Sequence, residues 1–304
     1  MKRKVIKQGP STLMVSLPVC WLKKYSISKG DLVDVEEAGS KLIFSTSKET
    51  DISSIVFDAK GLDIHHIRQY LTQIYKKGYD EVKVFPSPNV KMSLIQEFIS
   101  KNLIGFEIVD QKEDFLVVRS ISKALETEFD VLLRRSFLVT KQFAENLYEI
   151  IKTGEYEKLK EIQILEETND KLTNFCQRLL NKRGYSDYSK TTFMYCVVWQ
   201  FEKIADEYNY LCNYFLSHQN VCLHKKTLLC FENLIHFQNS VYLMYYSFDN
   251  KKAQEFTTKG RELIVECTNL LSDKTVDDNY TLGRILVLIN RVFNLLGPII
   301  GMNV

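Results

Sequence analysis

Two short stretches decide the fold of this chain: Leu165-Glu-Glu-Thr-Asn-Asp-Lys-Leu172 and Phe201-Glu-Lys-Ile-Ala-Asp-Glu-Tyr208. Each lies in a long run of helical periodicity, and each contains two carboxylates four residues apart. In an α-helix, side chains at positions i and i+4 share one face. The two stretches therefore predict two neighbouring helices, each with an acidic pair on one face.

The helical periodicity extends over residues 120–304, where proline is missing until Pro298. Gly154, Gly184 and short polar breaks divide this region into six predicted helices. They lie near 120–152, 155–182, 188–217, 223–247, 250–272 and 280–300. Six helices in two sets of three indicate an internal duplication, so we predict two three-helix repeats, at 120–218 and 222–304, packed as antiparallel bundles.

The region before these helices is of mixed type. Residues 1–48 predict short strands, a helical turn from Cys20 to Tyr25, and a final hairpin around Glu37-Ala-Gly-Ser40. So small a module buries little core, which favours an intertwined dimer. Residues 52–119 alternate between strand and helix patterns, which predicts a compact α/β connector. The expected fold class is thus multidomain α+β.

Charge is distributed unevenly along the chain. Residues 1–30 contain seven basic residues and no acidic one, whereas the remainder has 33 basic against 38 acidic residues. A basic head on a mildly acidic body indicates a polyanionic partner for the head. The seven cysteines form no CxxC motif, as is typical of free thiols in a reducing compartment.

The chain shows no signal-peptide pattern at its N-terminus, and its apolar end is interrupted by Asn290, Arg291 and Asn294. A membrane span needs about 20 apolar residues in a row. We therefore expect a cytoplasmic protein without a membrane span, whose last helix is buried in the bundle.

The opening segment Lys4-Val-Ile-Lys-Gln-Gly-Pro-Ser-Thr-Leu-Met-Val-Ser-Leu-Pro18, followed by Lys29-Gly-Asp31, resembles the swapped-hairpin family of AbrB, SpoVT and the MazE antitoxins. The resemblance implies a small β-barrel head formed by two interleaved chains, with basic residues of the dimer meeting DNA. The DNA-binding candidates are Lys2, Arg3, Lys4, Lys7, Ser11, Thr12, Lys23 and Lys24. Related antitoxins often carry Arg where Ser16 stands here, so base-specific readout is not expected. The alternative is that the lysines only solvate a dimerisation module.

The acidic pairs in the helical region resemble the Glu/Asp-x-x-x-Asp signature of the PhoU family, which regulates phosphate uptake. The resemblance implies a metal site formed by Glu166, Asp170, Glu202 and Asp206. Oxygen donors without thiolate or imidazole favour Mg²⁺, Mn²⁺ or iron. The second repeat offers Glu262 and Glu266 and then the uncharged Asn290 and Asn294, so no metal cluster is expected there.

The order of head, connector and bundle is similar to that of archaeal phosphate-uptake regulators with a PhoU domain. This resemblance implies a homodimeric or larger DNA-binding transcriptional regulator whose bundle senses or relays phosphate status. The alternative is a protein that docks on a phosphate ABC transporter or signalling partner, with the head serving only for dimerisation. No Glu-x-x-His, P-loop or nucleophile motif occurs, so we expect no enzymatic activity. His218, Cys222 and His224 offer a weaker zinc candidate that lacks a fourth ligand.

Overall fold

The computed structural model describes residues 2–38, 41–46, 53–121, 128–218, 221–271 and 275–304. The described chain is a mixed α+β protein, with its strands in the N-terminal part and its long helices after residue 128. The predicted boundary near residues 48–52 lies outside the described residues.

The head consists of two antiparallel hairpins and one short helix: β1 (Val5–Gln8), β2 (Thr12–Val15), α1 (Val19–Lys24), β3 (Asp34–Ala38) and β4 (Lys41–Ser45). The predicted short strands and helical turn are confirmed, whereas Gly39 and Ser40 of the last turn lie outside the described residues. The hairpins form two separate two-stranded sheets, β1-β2 and β3-β4. Gly9 takes a left-handed conformation in the first turn, with φ of 76°, which residues with a side chain rarely adopt.

The α/β unit follows as β5 (Ser54–Asp58), α2 (Ile64–Lys76), β6 (Glu81–Phe85), α3 (Met92–Asn102), β7 (Phe106–Gln111) and β8 (Leu116–Ser120). Its sheet has the order β5-β6-β8-β7. The pair β5–β6 is parallel, as expected for strands joined by a helix, and the other two pairs are antiparallel. The predicted closing pair of strands is thereby confirmed as the hairpin β7–β8.

The helical part contains α4 (Phe129–Thr153), α5 (Leu159–Arg183), α6 (Thr191–Ser217), α7 (Lys225–Tyr246), α8 (Asn250–Asn269), α9 (Val276–Phe293) and α10 (Leu296–Gly301). The predicted start of the first helix at residue 120 is wrong, because Ser120 ends β8 and α4 begins at Phe129; residues 122–127 lie outside the described residues. The last long helix begins earlier than predicted, because Thr275 accepts a hydrogen bond from the Asp278 amide and caps it.

The helices pack in two sets of three. In the first set α4, α5 and α6 contact one another, and in the second set α7, α8 and α9 do so. Contacts of α4 with α7 and of α6 with α9 join the two sets. This packing places the acidic faces of α5 and α6 side by side.

The segment Val276–Gly301 is long and apolar enough to cross a membrane by length and composition. In this fold α9 contacts α6, α7 and α8 instead. Leu282, Ile285 and Leu288 on the contacting face have no exposed surface. The segment therefore packs as a core helix of a soluble protein does.

Candidate functional site

The seam between α5 and α6 brings three carboxylates together. Glu166 and Asp170 extend from α5, one turn apart, and Asp206 extends from α6. One oxygen from each of the three lies within 4.8 Å of the other two. Three oxygens at the corners of such a triangle lie about 2.8 Å from its centre, so small side-chain movements bring them to the 2.0–2.6 Å at which Mg²⁺ and Ca²⁺ bind.

Asp170 is the deepest member of this triad. Its Oδ1 atom is closed off from solvent and has no hydrogen-bond partner among the described residues. Burial, together with the charges of Glu166 and Glu202, raises the pKa of Asp170 well above its ordinary value. A buried carboxylate oxygen without a partner is costly, and it points to a cation or proton as the missing partner.

Glu166 shows the same shortage of positive charge. Burial is the main cause, followed by the charge of Asp206, and together they raise the pKa of Glu166 to about 7. Like charges held close together in a partly buried site disfavour ionisation. The triad is therefore built to accept positive charge at neutral pH.

Glu202, the fourth predicted ligand, has a different partner. Its carboxylate accepts from Lys76 Nζ at 3.0 Å and from Lys203 Nζ at 3.1 Å. Burial acts to raise the pKa of Glu202, but the two lysines outweigh it and hold the pKa below its ordinary value. The structure thus brings Glu166, Asp170 and Asp206 into one triad and places Glu202 beside it in an ion pair.

Lys203 connects the two acidic groups, because its Nζ also lies 2.8 Å from Asp206 Oδ2. The prediction from spacing considered only carboxylates and missed this lysine. Its position between Glu202 and Asp206 in the sequence was a usable signal. Lys76 carried no such signal, since it lies 126 residues before Glu202.

Lys76 belongs to the α/β unit, which docks on α5 through buried polar contacts. The Arg178 guanidinium donates to the carbonyl oxygens of Tyr75 at 3.0 Å and Tyr79 at 2.7 Å. The Asn181 amide donates to the Lys76 carbonyl at 2.8 Å. These bonds hold the end of α2 against the bundle, and they position the Lys76 ammonium beside the acidic triad.

The predicted acidic residues of the second repeat lie in different surroundings. Glu262 is exposed on α8, with Lys259 Nζ at 4.0 Å, and the Asn290 amide donates to the Leu286 carbonyl of its own helix. Within the part of the chain that the structure describes, Glu166, Asp170 and Asp206 form the one group of potential ligands close enough to hold a metal ion.

The weaker zinc candidate is explained by local structure. The His218 ring stacks on the Tyr214 ring at 4.2 Å. His224 Nδ1 accepts from the Lys226 amide and caps α7. Both imidazoles therefore take part in ending or starting a helix.

The DNA-binding candidates of the head are all exposed: Lys2, Arg3, Lys4, Lys7, Ser11, Thr12, Lys23 and Lys24. The first four precede or lie in β1, and Thr12 begins β2 opposite Gln8. Lys23 and Lys24 form the last turn of α1. The hairpin and the helix thus present cations to solvent.

Comparisons of the chain with models of protein families, with curated proteins and with solved structures found no match.

Proposed function

We propose that this chain is a cytoplasmic, non-enzymatic regulator of phosphate uptake that binds DNA as a homodimer. In this proposal residues 1–48 form the swapped-hairpin DNA-binding head, residues 52–119 the connector, and residues 120–304 a PhoU-like bundle of two repeats. The bundle relays phosphate status by binding a divalent metal or a partner. The observation that carries the proposal is the exposed apolar surface of the basic head.

That surface is unusual for so small a module. Val5, Leu13 and Val15, which share one face of the first hairpin, are all exposed, and the Leu32 side chain is 92% exposed. Clustered apolar side chains of this kind mark surfaces that a partner covers. A second copy of the head, interleaved with the first, supplies that cover with the same residues.

DNA binding is supported by the charge of the head. Its basic residues are exposed on strands and a short helix, and residues 1–30 contain no carboxylate. Cations held on such a scaffold displace counterions from a duplex and gain affinity in that way. In a symmetric dimer the basic set occurs twice, which extends the charged face.

The regulatory part of the proposal is supported by the acidic triad and its link to the connector. A divalent cation would be held by Glu166, Asp170 and Asp206, with Mg²⁺, Mn²⁺ or iron favoured by the oxygen donors. Lys76 of the connector lies beside this site, so a change of charge there reaches the unit that joins bundle and head. The connection to phosphate rests on the resemblance of the acidic signature and of the order of the segments.

Salt-dependent DNA binding tests the proposal. We expect the full chain to bind duplex DNA, with an affinity that falls steeply as salt is added, and fluorescence anisotropy measures this. Replacing Lys2, Arg3, Lys4 and Lys7 by alanine should abolish binding, whereas each single replacement should lower the salt slope by roughly 0.9. A matched control neutralises four exposed lysines of the bundle: Lys225, Lys226, Lys251 and Lys252.

The control variant has the same change of net charge and should bind DNA as the unmodified protein does. If the head variant also keeps its affinity, the head is not the DNA-binding surface. A dimer without salt-dependent DNA binding would instead favour the interaction protein that docks on a transporter or signalling partner.

A further inference from the structure

A pocket lies where the two helix sets meet, between α4, α6 and α7. Its volume is ≈ 290 Å³, close to the lower end of the range for small-molecule sites. Its walls are mostly apolar, with three polar side chains among them, and it is lined by Phe137, Leu138, Lys141, Phe201, Gln238, Asn239, Tyr242 and Leu243. Apolar walls with a few polar groups are typical of ligand sites.

The inner wall is aromatic. The rings of Phe137 and Phe201 are 4.0 Å apart, and the Tyr242 ring meets Phe137 edge-on at 5.6 Å. Phe137 and Phe201 are almost fully buried, whereas Leu138 and Leu243 are exposed. The pocket therefore has an aromatic interior and an open mouth between two leucines.

Gln238 supplies a buried polar group to this pocket. Its side chain is only 5% exposed, and its Oε1 accepts from the Tyr208 hydroxyl at 2.6 Å. Its amide N–H groups donate to no acceptor within the described part of the chain. A buried donor without an acceptor is unfavourable, and it calls for an acceptor on an occupant.

Lys141 adds positive charge to the same lining. Its ammonium is 3.8 Å from Glu145 Oε1, which is longer than a hydrogen bond. Its side chain is half-exposed, so its donors remain open to a ligand. An ammonium and an amide donor together recognise a carboxylate, which accepts hydrogen bonds through both oxygens.

We infer that this pocket binds a small aromatic carboxylate as an effector. The aromatic ring packs between Phe137, Phe201 and Tyr242, and the carboxylate accepts from Lys141 and Gln238. The position suits an effector, because the Phe201 carbonyl accepts from the Asn169 amide at 3.2 Å. Phe201 precedes Glu202 in the chain, and Asn169 precedes Asp170. An occupant thus contacts the residue next to the acidic seam.

The test uses 3-phenylpropionate as the probe and its uncharged amide, 3-phenylpropanamide, as the paired compound. Binding of each to the full-length protein is measured by titration with ligand-observed NMR. We expect the carboxylate to bind roughly in the millimolar range, as suits so small a ligand. It should bind about tenfold more tightly than the amide, because one charge-assisted hydrogen bond is worth about that factor.

Three variants make the test specific. Lys141→Gln should remove the preference for the carboxylate. Lys152→Gln is the matched control, since Lys152 is also half-exposed on α4, with its nearest carboxylate, Glu149, at 3.6 Å, and it should change nothing. Leu243→Trp places a larger ring at the exposed mouth and should prevent binding of both compounds.

Unchanged far-UV circular dichroism and melting temperature show that each variant is folded. If the unmodified protein binds neither compound, or if Leu243→Trp binds both as well as the unmodified protein does, the pocket is not a ligand site. If Lys141→Gln keeps the full preference for the carboxylate, the assignment of the ligand class is wrong.

Discussion

Replacing Lys76 by methionine tests how the connector is joined to the bundle. The Lys76 side chain is 8% exposed and that of Glu202 is 14% exposed, and their charged atoms are 3.0 Å apart. Methionine keeps most of the apolar stem of lysine but has no charge. The substitution therefore removes one member of a buried ion pair with little change in packing.

The size of the effect follows from what remains around Glu202. Removing one partner of a buried ion pair costs about 3–5 kcal/mol, because the other charge is left buried and uncompensated. Here Lys203 stays 3.1 Å away and the Gln177 amide 3.4 Å away, and both still stabilise the carboxylate. We therefore expect Lys76→Met to lower the free energy of unfolding by about 2–3 kcal/mol.

A double-mutant cycle isolates the pair. Glu202→Gln in the Lys76→Met background removes the uncompensated charge, so most of the lost stability should return, with a coupling energy of about 1.5 kcal/mol or more. The measurement is urea denaturation of the metal-free protein followed by far-UV circular dichroism. The control cycle uses Lys101→Met and Glu97→Gln, whose ion pair of 2.6 Å is exposed at 62% and 51% of its side chains.

The exposed control pair should contribute less than about 1 kcal/mol, because solvent screens it. If Lys76→Met costs no more than Lys101→Met, or if the buried pair shows no coupling, burial of the Lys76–Glu202 contact does not join the connector to the bundle as argued here.

Three further predictions concern the triad and the head. Saturating Mn²⁺ should raise the melting temperature, since a ligand at a hundred times its Kd stabilises the fold by about 2.7 kcal/mol, and Asp170→Asn combined with Asp206→Asn should remove that rise in differential scanning fluorimetry. Because the folded-state pKa of Glu166 is raised from 4.5 to about 7, its protonation favours folding below its unfolded-state pKa, and this contribution is lost as the pH rises through 7. The metal-free protein should thus lose up to about 3 kcal/mol between about pH 5 and pH 8 in denaturant titrations, and Glu166→Gln should flatten this dependence. Light scattering at micromolar concentration should show at least a dimer that Leu32→Glu weakens; a monomeric unmodified protein would contradict the interleaved head.

The sequence alone determined the type and order of most elements, because helix and strand periodicity are local properties. The strands of the connector and the six long helices follow from that periodicity. The main error, the start of the first long helix, falls where β8 passes into residues 122–127. Spacing of four residues also placed Glu166 and Asp170 correctly on one face of a helix.

The tertiary structure decided which charges meet. Periodicity shows that Glu202 and Asp206 share a face, but only packing shows that Glu202 pairs with Lys76 while Asp206 joins the triad. The same holds for Gln238 and Lys141, whose pocket forms only when α4, α6 and α7 come together. A contact between residues far apart in the chain depends on how whole elements pack, and the local pattern around either residue contains no record of that packing.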